Sequence, residues 1–101
     1  MKLEEQIAHY EYLTKQMKDI LLKKGADYAN KDVLSNFKLA GRIAGLTPEQ
    51  NCLSLISTKV ARLGNLLSKD NSPLNEPLKD TVVDLANYSI LLHMLLFEDN
   101  Y

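Results

Sequence analysis

The sequence predicts an all-α fold, an antiparallel bundle of three long helices and one short helix. Its 101 residues suit a single domain, 1–101, and apolar residues recur every three to four positions over most of the chain. Glycine and proline mark the ends of these periodic segments, and no segment has a convincing strand pattern. Because a domain this small buries only about two-thirds of its unfolded surface, we expect oligomerisation to complete the bundle.

The first helix is predicted over residues 3–24. Its apolar stripe consists of Leu3, Ile7, Tyr10, Thr14, Met17 and Leu21. Lys23 and Lys24 suit the negative end of the helix dipole, and Gly25 is a suitable left-handed cap. We therefore expect the helix to end at this glycine.

Residues 25–35 are predicted to form an ordered polar loop, and a short helix follows over residues 36–43. Ser35 is the expected N-cap of the short helix, and Gly45 marks its end. The loop thus leads directly into the N-terminus of the short helix.

The third helix has the clearest start signal in the chain. Thr47 is the N-cap, Pro48 occupies the first helical position, and Gln50 completes a capping box. We expect this helix to reach about Lys69. The last helix is predicted from about residue 75 to Glu98, with a proline tolerated in its first turn.

Composition and charge exclude several classes of function. The formal net charge is -1, so no broad basic surface for a nucleic-acid polymer is expected. The single cysteine, Cys52, excludes an internal disulfide and a Cys-rich zinc site. The N-terminus is too acidic for a signal peptide, and the longest apolar stretch, 89–97, is far shorter than the roughly 20 residues that span a bilayer. We expect a cytoplasmic protein with no membrane partner.

Two basic residues of the third helix lie at or within its apolar stripe. On a helical wheel, Lys59 projects between apolar positions and Arg62 lies at their edge. A lysine in that position must extend to solvent, pair with an acid or hold a ligand.

The last helix has a polar strip between two apolar faces. The strip comprises Glu76, Asp80, Asp84 and Asn87. A helix that is apolar on two sides lies between neighbours, so Asp84 and Asn87 should be at least partly enclosed. A buried carboxylate needs a cation, a metal or donors, and the basic residues of the antiparallel third helix are the natural partners. A purely structural Lys59–Asp84 bridge is the alternative to a ligand site.

The loop and the short helix add a second group of candidates. Asp27 and Tyr28 are either turn formers or part of a ligand-binding loop. Helix N-termini favour anions, and Lys38 lies on the short helix. Tyr28 or Phe37 has a ring able to stack on a base.

Six short pieces of sequence, read in order, carry a family resemblance: 24–28, 36–38, 59–62, 75–76, 80 and 84–88. Over about residues 13–96 the chain resembles the nucleotide modification associated domain 1 family, a small all-helical domain of bacteria and phages. The Asp27–Tyr28 pair and the stretch from Asp84 to Tyr88 are the most telling parts. The resemblance implies an association with nucleotides.

The last two helices are also distantly similar to MazG-type nucleoside triphosphate pyrophosphatases, which hold magnesium with acidic pairs on two adjacent helices. Glu76, Asp80 and Asp84 match the second acidic helix, although they are spaced by four and four. Lys59 and Arg62 stand where glutamates of the first acidic helix are expected.

Three hypotheses follow, and a homo-oligomer is expected under each. The first is a protein that binds a phosphorylated nucleotide or nucleotide-derived signalling molecule, without a cofactor, in the manner of a phage sequestering protein. Its ligand-binding residues are Lys59, Arg62, Asp84, Asn87, Tyr88, Asp27, Tyr28, Phe37 and Lys38. The second is a magnesium-dependent pyrophosphatase with Glu76, Asp80 and Asp84 on the metal, completed by Asp27 or Asp32. The third is a helical oligomerisation module with no small ligand.

Overall fold

A computed structural model describes residues 1–27, 32–68 and 75–98, with the backbone alone described at residues 25, 27, 75 and 76. Within these ranges the chain forms four helices and no strand, so the predicted all-α class is confirmed. The helices are α1 (Leu3–Asp27), α2 (Ser35–Ala44), α3 (Pro48–Leu67) and α4 (Asn75–Glu98). The chain divides into two compact units, Met1–Val33 and Leu34–Tyr101.

The predicted end of the first helix is wrong. α1 continues through Gly25 to Asp27, because a glycine inside a helix costs only about 1 kcal/mol relative to alanine and does not by itself stop the helix. Asp27 therefore belongs to a helix and not to the loop in which it was expected. Tyr28 lies outside the described residues.

The N-cap of the short helix also differs from the prediction. Leu34 occupies this position with no side-chain capping bond, and Ser35 is the first helical residue. Leu34 is only 5% exposed and belongs to the hydrophobic core. Packing of an apolar side chain, and not a capping hydroxyl, accompanies the start of α2.

A tight turn joins α2 to α3, and two glycines make it possible. Gly45 has φ 73°, the left-handed conformation of a helix C-terminus. The N–H of Gly45 donates to the Arg42 carbonyl, and the N–H of Leu46 donates to the Gly41 carbonyl at 2.7 Å. This is the bond pattern of a Schellman motif, and it brings the backbone of residues 46–47 directly over Gly41.

The predicted start of α3 is confirmed in full. The Gln50 N–H donates to Thr47 Oγ1 at 3.1 Å, and the Thr47 N–H donates to Gln50 Oε1 at 2.9 Å. These reciprocal bonds form a capping box, with Pro48 in the first turn. The helix ends at Leu67, two residues before the predicted end, and α4 has the predicted bounds.

Helices α3 and α4 are antiparallel. Cys52 near the start of α3 contacts Tyr88, and Arg62, further along α3, contacts Thr81, which precedes Tyr88 in α4. α2 packs on the first turns of α3, where the Asn51 side chain donates to the Phe37 carbonyl at 3.4 Å. The unit 34–101 therefore has α3 in contact with both of its neighbours.

The core of this unit is small and involves all three of its helices. Its buried members are Leu34, Phe37, Cys52 and Leu95, bordered by Leu55, Ile56, Tyr88, Leu91 and Leu92. α4 contributes most of the bordering residues. Pro77–Glu98 is also the one described helix long and apolar enough to cross a bilayer, a property it shares with core helices of soluble proteins.

Alanine substitutions at Gly41 and Gly64 should change the free energy of unfolding in opposite directions. A Cβ at Gly41 would lie 2.8 Å from the Leu46 carbonyl oxygen, whereas a Cβ at Gly64 has no atom within 4 Å. We expect Gly41→Ala to lower the free energy of unfolding by about 1–3 kcal/mol, because backbone atoms must move. Gly64→Ala should raise it by about 0.5–1 kcal/mol through helix propensity. Urea unfolding followed by circular dichroism measures both, and a Gly41→Ala variant as stable as the parent would contradict the close approach.

Candidate functional site

Four polar side chains meet between α3 and α4 and form the candidate site. Lys59 Nζ lies 3.3 Å from Asp84 Oδ2, and Arg62 Nε lies 3.2 Å from Thr81 Oγ1. Lys59 and Arg62 are three residues apart in α3, and Thr81 and Asp84 are three apart in α4, so the two contacts occupy successive turns. We call these four residues the polar cluster.

The ion pair of the polar cluster confirms the pairing predicted from the sequence. The Lys59 and Asp84 side chains keep 27% and 31% of their accessible surface. Both charges are thus partly solvated, and the pair should contribute about 0–1 kcal/mol to stability, like other pairs in contact with water. Neither ion is deeply buried, so the contact is able to open without leaving an isolated charge in an apolar interior.

The arginine of the cluster is held through one nitrogen. Thr81 is 3% exposed, and its hydroxyl accepts the Arg62 Nε–H while donating to the Pro77 carbonyl at 2.7 Å. Arg62 itself is exposed, and its terminal Nη groups bond to none of the described residues. Within the described part of the chain, its guanidinium is therefore held at Nε alone.

Thr81 is a site residue that the sequence reasoning missed. A threonine inside a helix usually bonds to the carbonyl four residues earlier, as Thr81 does. The available signal was its position three residues before Asp84, on the same side of α4. That spacing places it opposite Arg62 once the antiparallel pairing is known.

Asn87 follows Asp84 by one turn and is 6% exposed, so the prediction that it is enclosed is confirmed. It extends the polar side of α4 toward the core. Asp84 and Asn87 together place a carboxylate and an amide on adjacent turns. The Asp84 carboxylate keeps contact with solvent and is able to accept hydrogen bonds from a base or ribose, whereas the Asn87 amide is buried.

The acidic residues proposed for magnesium do not come together in the part of the chain that the structure describes. Asp80 is exposed, Asp84 is paired with Lys59, and the side chain of Glu76 lies outside the described residues. No three His, Cys, Asp or Glu side chains among the described residues are grouped closely enough to hold a metal ion.

The two aromatic residues near α2 are packed against each other. Phe37 is 7% exposed, and its ring meets Tyr88 edge-on, with centroids 6.5 Å apart and an interplanar angle of 89°. The expectation that Phe37 stacks on a base needs correction, because its ring is part of the core. Tyr88 is half-buried at the border of that core.

Lys38 lies far from the polar cluster. Its ammonium group forms an ion pair with Glu98 at the C-terminal end of α4. Glu98 is 14 residues beyond Asp84, or about 21 Å along the helix. A single phosphate cannot contact both lysines. The side chain of Asp27 and all of Tyr28 lie outside the described residues, so their predicted roles stay predictions.

Cys52 is buried in the core and unsuited to nucleophilic chemistry. It is 0% exposed, its sulfur contacts the Tyr88 carbonyl oxygen at 3.5 Å, and burial raises the pKa of its thiol. A raised pKa means that folding disfavours the thiolate.

Comparison of the chain with protein-family models, curated proteins and solved structures found no match.

The ion pair can be measured directly in a double-mutant cycle with Lys59→Met and Asp84→Asn. We expect a coupling free energy of about 1 kcal/mol or less, because both groups retain contact with water. It should shrink further in 1 M salt, where charges are screened beyond about 3 Å. A coupling above about 2 kcal/mol, insensitive to salt, would show a desolvated pair and contradict this description.

The thiol of Cys52 should be protected in the native protein. At pH 8 we expect alkylation by iodoacetamide to be at least about 100-fold slower than in denaturant, because reaction requires opening of the core and the thiolate is disfavoured. Stability should fall as the pH rises through the pKa of the unfolded thiol, since the unfolded chain releases that proton first. Equal alkylation rates in native and denatured protein would contradict burial.

Proposed function

We propose that the chain binds a phosphorylated nucleotide or a nucleotide-derived signalling molecule at the polar cluster and Asn87. The observation that carries the proposal is the pair of cations on successive turns of α3, with Arg62 exposed and its Nη groups bonded to none of the described residues. Guanidinium and ammonium groups side by side are suited to a phosphate, and the guanidinium fork adds bidentate geometry.

The neighbouring carboxylate narrows the class of ligand. Asp84 lies 3.3 Å from Lys59, so it repels a small bare anion such as inorganic phosphate. The same carboxylate is able to accept hydrogen bonds from ribose hydroxyls or base amino groups, and the buried Asn87 lies one turn further along α4. A ligand with a phosphate at one end and hydrogen-bond donors at the other fits this charge pattern better than either part alone.

Sequence resemblance and exposed surfaces support the rest of the proposal. We also propose the association with nucleotides that the sequence resemblance implies, and a cytoplasmic, phage-type sequestering role. On α3, Leu53, Val60 and Leu67 are each more than half exposed, at intervals of seven residues. This uncovered face supports a homo-oligomer in which the helical bundle is completed between copies.

A ligand-free helical module is the second candidate function. The direct contact of Lys59 with Asp84 favours it, because each charge has a partner without any ligand. A buried or half-buried polar pair sometimes fixes the register of an assembly. For the magnesium-dependent pyrophosphatase, no comparable group of acidic side chains is found among the described residues, and Asp84 is paired with a cation.

Isothermal titration calorimetry of the full chain with linear and cyclic nucleotides tests the first proposal. We expect a saturable heat with at least one of them. Lys59→Met and Arg62→Gln should each weaken it by about tenfold or more, equivalent to about 1.4 kcal/mol. Lys79→Met is the matched control, because Lys79 is an exposed lysine of α4 outside the cluster, and it should leave affinity unchanged.

Three outcomes discriminate between the candidates. No binding at millimolar concentrations, together with a folded Lys59→Met/Asp84→Leu variant that keeps the parent oligomeric state, would favour the ligand-free module. Equal loss of affinity in Lys59→Met and Lys79→Met would show non-specific charge attraction and contradict the proposed site. Mass spectrometry of small molecules released from the purified protein identifies a co-purifying nucleotide independently.

A further inference from the structure

The first helix has an apolar stripe with the repeat of a coiled coil. Its members are Leu3, Ile7, Tyr10, Thr14, Met17 and Leu21, spaced alternately by four and three residues. Leu3 and Tyr10 are each 67% exposed and Ile7 is 50% exposed, while the last three members are half-buried. The exposed part of the row, from Leu3 to Tyr10, has the large apolar side chains that mark an interaction surface.

The charges of α1 are divided between its two halves. Residues 1–13 carry Lys2 against Glu4, Glu5 and Glu11, and residues 14–24 carry Asp19 against Lys15, Lys18, Lys23 and Lys24. The N-terminal half is therefore acidic and the C-terminal half basic. Two such helices attract when antiparallel, because each acidic half then faces a basic half. Parallel pairing in register opposes like charges along the whole length.

The stripe has the same symmetry as the charges. An antiparallel pair with its twofold axis near residue 12 places Leu3 beside Leu21, Ile7 beside Met17 and Tyr10 beside Thr14 of the other copy. Every member of the stripe then meets another member. Gln6, Ile7, Tyr10 and Glu11 line a shallow, open depression on this face.

We propose that α1 is a self-association helix that pairs antiparallel with α1 of a second copy of this chain. The inference rests on the homo-oligomer proposed above and names the surface that forms it. It requires nothing of the polar cluster or of a nucleotide. The apolar stripe is the contact surface. The acidic N-terminal half and the basic C-terminal half of α1 favour a second copy of the same helix, in antiparallel orientation, as the partner.

Two tyrosines of α1 provide a matched pair for the test. Tyr10 belongs to the stripe, and Tyr12, 64% exposed, lies two residues away on the opposite side of the helix. Sedimentation equilibrium of the full chain should give a dissociation constant at least about tenfold higher for Tyr10→Glu than for the parent. Tyr12→Glu should change it by less than about threefold. Circular dichroism confirms that both variants remain helical.

Charge reversal tests the orientation. Glu4→Lys with Glu5→Lys makes the N-terminal half basic and should weaken an antiparallel pair. Adding Lys18→Glu and Lys23→Glu makes the C-terminal half acidic and should restore association, with both effects reduced at high salt. In a parallel pair, Glu4→Lys with Glu5→Lys only replaces repulsion between acidic halves by repulsion between basic halves. Unchanged association of this double variant would therefore overturn the antiparallel orientation.

The outcomes separate this inference from the proposed function. A parent chain that stays monomeric at all concentrations would overturn both the α1 pairing and the proposed homo-oligomer, while leaving nucleotide binding to be decided by calorimetry. If Tyr10→Glu and Tyr12→Glu change the dissociation constant equally, or both leave it unchanged, the α1 stripe is not the contact surface. That result would overturn the α1 pairing but not the proposed homo-oligomer. A selective effect of Tyr10→Glu, with rescue by the fourfold charge change, supports it.

Discussion

Antiparallel packing of α4 on α3 is the contact on which the unit 34–101 depends. It brings Cys52, which has no exposed surface, and Leu95, 2% exposed, into one small core with residues of α2. Few side chains are fully buried, so each contributes a large share of a folding free energy that is marginal in domains of this size. The same packing sets the register of the two helices and therefore decides which polar groups meet at their edge.

At that edge, the register places Lys59 against Asp84 and Arg62 against Thr81. The position of the cluster matters as much as its composition. Deep in the core the same charges would need each other to avoid a desolvation cost of several kcal/mol. With roughly a third of each side chain of the ion pair exposed, opening that pair costs about 1 kcal/mol at most. This is small beside the roughly 4–8 kcal/mol of a ligand bound at millimolar to micromolar affinity, so a structural ion pair and a ligand site are compatible.

Two of the differences between expectation and structure have a common origin in burial. Phe37 was expected to present its ring to a ligand, and Ser35 was expected to cap α2. The core instead takes up the Phe37 ring and the preceding Leu34, and the packing of Leu34 accompanies the start of the helix. A capping signal worth about 1 kcal/mol is easily outweighed by such contacts. The third difference has another cause: α1 continues through Gly25 to Asp27, because a single glycine does not by itself stop a helix.

The sequence by itself determined the helical class, the capping box at Thr47 and the bounds of α4. These depend on periodicity or on bonds between residues no more than four positions apart. The sequence also offered Asp84 as one partner for Lys59, and the structure selected that partner. Only the tertiary structure decided that Thr81 holds Arg62 and that Lys38 lies with Glu98, away from the cluster. These contacts join residues 19 and 60 positions apart, and their partners are fixed by helix register and packing, which no local pattern encodes.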